Sequence, residues 1–316
     1  MSPRHFLLLA GLCLPVTFAC AQAPLADYAV RPDRVFLLNL TDTGENLIAV
    51  GERGVVLRAE HADGQWHSVR TATTRTLSGV AFVNPHRGIA VGHGGTLLRT
   101  DDGGLHWQAV EVDSNEDALL GVAALGGGRM VAWGAFGLYL LSTDDGMTWQ
   151  RRSVLSEEFD RHISQVLALA NGDCLLVGES GTLARSTDRG ETWQALDSPY
   201  AGSLFGALQL QDGSLLIYGM RGNLWYSADA GNTWAQRNTH TTFAFNGALQ
   251  QRGGRVVLLG NSGLLLASDD QGHSFKALPS THASLSRAIE QDDGTLLAVG
   301  DRGVLPLGAN ALTGRE

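Results

Sequence analysis

Hydrophobic positions in this chain come in short runs, cut apart by turn-forming Gly, Asp, Asn and Ser, and they do not follow the 3.6-residue period of an amphipathic helix. Runs of that length predict strands. A Gly-x-x-Gly turn opens at Gly51, Gly92, Gly134, Gly178, Gly219, Gly260 and Gly300, at intervals of 41, 42, 44, 41, 41 and 40 residues. In six of the seven units an aromatic residue stands 15 positions after the first glycine: Trp66, Trp107, Trp149, Trp193, Trp234 and Phe275. Thirteen positions before the same glycines lie Leu38, Gly79, Gly121, Gln165, Gly206, Gly247 and Arg287, each inside an apolar run. Length variation is therefore expected only in the loop from the aromatic residue to the next run. The second unit divides into four strand-sized pieces, residues 77–83, 88–91, 96–99 and 107–110. Four strands in about 41 residues is the size of a propeller blade, whereas a parallel β-helix needs shorter coils. The pattern predicts an all-β fold, a seven-bladed β-propeller with four antiparallel strands per blade.

The seventh unit ends without its aromatic strand, so residues 26–30 are expected to supply it and close the ring, because an open ring would leave two unpaired edges. Composition agrees with a packed β protein: 44% of the 316 residues are hydrophobic, 17% are charged, and 40 glycines without a Gly-X-Y period suit many tight turns. Lys and Arg number 23 against 32 Asp and Glu, a net charge of −9 with Lys276 the single lysine, which argues against nucleic acid or an anionic lipid surface as partner. At the N-terminus Arg4 and His5 precede a nine-residue apolar run, too short to span a bilayer, and Ala19-Cys20-Ala21 is a small-x-small cleavage site. The reading is a signal peptide over residues 1–21, a propeller over 22–316, and a periplasmic mature protein without a transmembrane segment. Lipidation of Cys20 is the alternative, although Thr17-Phe18-Ala19 is a poor lipobox. Cleavage leaves Cys174 alone, so no intramolecular disulfide forms, and its Cys-Leu-Leu-Val setting reads as core.

Between the third and fourth strands runs Ser/Thr-x-Asp-x-Gly-x-Thr-aromatic: Ser142, Asp144, Gly146, Thr148 and Trp149 in one unit, with copies on Asp188 and Asp229, a close one on Asp270 and a looser one on Asp102. This resembles the Asp-box of bacterial neuraminidase repeats. Its carboxylate can accept turn N–H bonds and its aromatic residue can fill the gap between blades, so these aspartates read as structural rather than catalytic. Their spacing is not that of a calcium loop, the ten histidines show no paired-ligand spacing, and neither a metal nor a cofactor is expected. Seven Gly-x-x-Gly turns and an Asp-box behind a signal peptide are similar to the photosystem II stability and assembly factor propellers and their relatives in non-photosynthetic bacteria. The resemblance implies a non-enzymatic lumenal or periplasmic scaffold that binds or helps assemble a protein partner, and therefore, here, an envelope or periplasmic client. Photosynthetic members of that family carry an arginine-rich patch; in this chain arginine recurs in the turns as Arg53, Arg221 and Arg302.

In a propeller the second-to-third turns share a face with the blade-to-blade loops, so their central residues should ring the channel mouth: Glu52 and Arg53, His93, Phe136, Arg221, Asp301 and Arg302 among them. Guanidinium groups there could hold a client carboxylate, with Phe136 as an apolar contact. Ordinary charge pairing between neighbouring turns is the bland alternative. Arg287 is expected either to reach into the channel or to lie beside Glu290 or Asp292. A sialidase-like glycoside hydrolase and a carbohydrate-binding propeller are the rival readings. The first would draw on the loop Ser156-Glu157-Glu158-Phe159-Asp160-Arg161-His162, which otherwise reads as a solvated acidic loop. The chain is expected to act as a monomer.

Overall fold

The computed structural model describes residues 30–308, in which seven antiparallel sheets follow one another around a central channel. Six sheets have four strands in chain order, as in Leu77–Phe82, Gly88–Gly92, Leu97–Thr100 and Gln108–Ala109. The first strands touch in a closed ring, the first blade meeting both the second and the seventh. The protein is thus a seven-bladed β-propeller. In the seventh blade the described strands are Leu285–Glu290, Leu296–Gly300 and Gly303–Leu307. The expected donor at residues 26–30 lies, apart from Val30, outside the described residues, as does the signal peptide at 1–21.

Burial falls from the second strand outward. Gly88–Gly92, like its counterparts in all the other blades except one longer by a residue, is buried at every position, because neighbouring blades cover both its faces. That is why these segments read as unbroken apolar runs rather than alternating ones. Fourth strands such as Gln108–Ala109 are short and exposed. Cys174 opens one of the buried second strands, and desolvation pushes its thiol up to about 11, which fits a core residue rather than a nucleophile.

Two seven-fold devices position the face that carries the blade-to-blade loops. The first central residue of each Gly-x-x-Gly turn donates its N–H to the carbonyl preceding its own blade's first strand, as His93 does to Thr76 at 2.9 Å and Asp301 to Ser284 at 3.1 Å. In the seventh blade Val304 also donates to Pro32 at 2.9 Å, so the segment after Val30 serves as the connection from the last blade to the first. The second device is a bulge near the top of each first strand, where pairing skips one residue, as between Leu77 and Gly79.

The register corrects one expectation. Leu37 pairs with Gly51 whereas Leu77 pairs with Gly92, so the first blade's hairpin is one residue shorter and Asn39, not Leu38, is the counterpart of Gly79. Length variation is therefore not confined to the loop after the aromatic residue. Pairing, rather than counting, fixes which side chain faces which.

The Asp-boxes lie on the opposite face as self-contained turns. In the third blade both Asp144 oxygens are engaged: Oδ1 by the Ser142 hydroxyl at 2.8 Å and the Thr148 N–H at 2.9 Å, Oδ2 by the Thr148 hydroxyl at 2.6 Å. Asp188, Asp229 and Asp270 repeat this, and at Asp102 the His106 ring replaces the threonine hydroxyl at 2.6 Å. The Thr233 hydroxyl, the Thr233 N–H and Ser227 hold Asp229 down to about 2, and the Ser274 hydroxyl and N–H with Ser268 hold Asp270 well below the usual carboxylate range. These groups titrate lower in the folded chain than the usual 3.8, so their contribution to stability is complete above that value and is lost progressively as pH falls from there through the folded-state value. The melting temperature is expected to drop steeply between about pH 4 and pH 2. A double Asp229→Asn, Asp270→Asn variant should start lower at pH 7 and show a shallower drop; an identical slope in a thermal-melt series would remove the boxes as the cause.

Candidate functional site

The first strands enclose a channel cavity of about 490 Å³. The bulged residues Leu38, Ser78, Leu120, Ser164, Phe205, Asn246 and Ser286 ring its wall. The next position along is Asn39, Gly79, Gly121, Gln165, Gly206, Gly247 and Arg287. A Cβ on Gly206 would lie 2.3 Å from the Tyr218 hydroxyl and 2.7 Å from Gln165 Oε1, and one on Gly79 2.9 Å from the Gly121 Cα. Close approach of neighbouring atoms therefore explains glycine there. Gln165 is a blade-to-blade strut, its Oε1 accepting from the Ala207 N–H at 2.9 Å. Arg287 is different: it is exposed, it lines the channel, and no ion pair joins it among the described residues. Glu290 and Asp292, its expected alternative partners, belong to Arg252.

Around the mouth Arg53, Arg221 and Arg302 are exposed and without an ion pair among the described residues, so the expected pairing between neighbouring turns is not what these side chains do. Arg53 and Arg221 occupy the left-handed region at φ 56° and 55°, whereas the Asp301-Arg302 turn is plain, with Gly300 paired to Gly303. His93 and Asp301 are exposed beside them. Two further cations, Arg75 and Arg161, stand exposed on connecting loops of the same face; Arg75 lies across Gly94, and Arg161 donates weakly to the Ser180 carbonyl at 3.4 Å. On the other face most arginines are paired, although Arg189 beside Asp188 is exposed with no ion pair among the described residues, and on the loop-bearing side Arg31 pairs with Asp33 at 2.9 Å. Arg87, Arg99, Arg129, Arg152, Arg252 and Arg255 pair with Asp101, Asp145, Asp269, Glu191, Glu290 or Asp292, all on the first-to-second or third-to-fourth hairpins.

Exposed large apolar side chains divide in the same direction. Phe36, Phe136, Leu155, Phe205, Met220 and Phe243 emerge on the loop-bearing side, against Leu105 and Met147 among the Asp-boxes. Phe136 is 58% exposed in spite of an edge contact with the His162 ring at 5.0 Å, and its φ of 52° is held by the turn that all but the last blade share. Sequence reasoning missed Phe36, Phe205 and Phe243, since their runs look like any other strand or loop, whereas Met220 is a central turn residue that the repeat places at the mouth. The acidic residues of the long loop, Glu157, Glu158 and Asp160, are exposed and make no ion pair among the described residues, which is the arrangement of a solvated loop rather than of two carboxyls facing a substrate.

A family model described as Photosynthesis system II assembly factor YCF48 matches residues 57–242, more than half of the chain. Among solved structures, "YCF48 bound to D1 peptide" superposes with a TM-score of 0.73 at 18% identity, over 87% of this chain and 94% of that one. "YCF48 from Cyanidioschyzon merolae" gives 0.72 at 16% identity, over 88% and 96%. An ancestral GH74 enzyme gives 0.72 at 13% identity over 86% of this chain, though only 44% of its own, so the blade architecture is shared with a glycoside hydrolase as well. No curated protein matches the chain in sequence.

Proposed function

The chain belongs to the photosystem II assembly factor YCF48 family, and from that premise we propose that it is an exported, non-catalytic scaffold whose loop-bearing face captures a segment of an envelope protein. The observation that carries this reading is the cluster at the channel mouth, where Arg53, Arg221 and Arg302, exposed and without an ion pair among the described residues, stand with exposed Phe and Met, while most of the arginines on the other face pair with carboxylates. A segment carrying carboxylates and apolar side chains complements such a surface, with guanidinium groups taking carboxylates bidentately and aromatic anchors filling in between. A relative of the same fold is solved bound to a peptide of a protein, D1, and capture of an extended segment is in keeping with that. The basic and apolar start of the chain with its Ala19-Cys20-Ala21 site supports export of the mature protein to the periplasm on this reading. As a monomer it would present one such face.

The test is crosslinking in the living cell with the mature protein in its native envelope, purification under denaturing conditions and mass spectrometry. One envelope protein enriched well above a propeller of unrelated sequence is expected. No enriched partner, together with turnover in a panel of fluorogenic sialosides and other glycosides, would replace the scaffold by a hydrolase.

A further inference from the structure

Among the described residues that line this cavity Arg287 is the one charged side chain, with no carboxylate beside it there. In a chain of net charge −9, an exposed guanidinium enclosed by strands and left without a counter-ion is a position kept for an anion. Its surroundings restrict which anion. Phe205 in the fifth blade lines the same cavity as Arg287 in the seventh, and Leu38 and Leu120 add apolar wall. Ser164 and Ser286 contribute hydroxyls that make no hydrogen bond among the described residues, and the Asn246 amide already donates to Leu285 and Asn261. Tyr218, whose hydroxyl is buried beside Gly206, lines the same cavity as Arg287.

We infer that the channel is a separate binding site for a carboxylate on a compact apolar body, with the carboxylate on Arg287 and the body against Phe205, Leu38 and Leu120. The site does not rest on the client reading, because Arg53, Arg221 and Arg302 are not part of this wall. Free organic acids and the carboxyl end of a polypeptide share this chemistry.

The probe is N-acetylleucine, compared with N-acetylleucine amide, titrated by NMR with the indole N–H resonance of Trp133, which lines the channel, as reporter. The acid is expected to shift that resonance with a Kd of about 1 mM, the scale for a ligand of this size, and the amide at least ten-fold more weakly. Arg287→Gln should abolish the difference, and Arg287→Lys should keep it. Glutamine is the residue the fourth blade already carries at this position, Gln165, so the ring accommodates it. Equal binding of acid and amide to the unaltered protein, or unchanged binding in Arg287→Gln, overturns the proposal. The comparison of acid with amide holds even if the variant folds poorly. A decapeptide ending in leucine, with and without C-terminal amidation, assigns the source: tighter binding than the small acid, lost on amidation, points to a chain end, and no gain over the small acid points to a free acid.

Discussion

Exchanging Arg53 and Arg302 together for glutamate is expected to reduce crosslinked client at least ten-fold while leaving the melting temperature within a degree or two. The size follows from the state of these side chains. Both are exposed and neither has an ion pair among the described residues, so each can give its full bidentate contact to a partner carboxylate without first breaking one of its own. Removing such a contact at the centre of an interface costs about 2 kcal/mol or more, and reversal adds repulsion to the loss. The first and seventh blades are neighbours in the ring, so both changes fall on one sector of the mouth. The folded chain has little at stake, since surface charges without partners contribute little to stability. The matching control is Arg87→Glu, which breaks the pairs with Asp101 and Asp145 on the opposite face and should leave capture unchanged. Loss of capture in the control, or retention in the double variant, would move the docking surface away from the channel mouth.

The blades were legible because each rests on a strict local register: a Gly-x-x-Gly turn, an aromatic residue 15 positions on, and an Asp-box between. Those elements are set by backbone requirements that repeat, and repetition is visible in one sequence. The site was legible only in part. Arg53, Arg221, Arg302 and Phe136 were found because they sit at fixed places in the repeat, whereas Arg75 and Arg161 sit in loops of variable length and carry no register. The bulges were invisible, since skipping one residue in a ladder leaves no mark on composition, and yet they turn Phe205 and Ser286 to the channel. The Leu38 to Asn39 shift has the same origin: a one-residue difference in a hairpin moves every side chain to the other face. That Arg287 has no counter-ion could not be read at all, because Glu290 and Asp292 stand near it in sequence but bind Arg252.

Gly137→Ala is expected to destabilise the propeller by about 3 kcal/mol or more, roughly 6 to 10 °C in melting temperature, and the reason separates two costs. Gly137 closes the turn that carries Phe136 and has φ +69°, a conformation that costs a side-chain-bearing residue about 1 to 2 kcal/mol. In addition an added Cβ would lie 2.0 Å from the Phe159 carbonyl oxygen, on the segment entering the next blade, while the Gly137 N–H donates to the Arg161 carbonyl at 2.9 Å. The backbone of one blade and the entry to the next would have to part. Gly172, at φ +91° with nothing within 4 Å, carries the first cost without the second. Asparagine tolerates the left-handed region better than other residues, so Gly172→Asn should be close to neutral, whereas Gly137→Asn should remain strongly destabilised because the contact persists. If thermal melts gave the two asparagine variants the same stability, backbone conformation alone would explain these glycines. If they differ as expected, the final glycine of each turn is there to let the loop-bearing face close over the joint between blades, and the exposed Phe136 and its neighbours are held out to a partner by that joint.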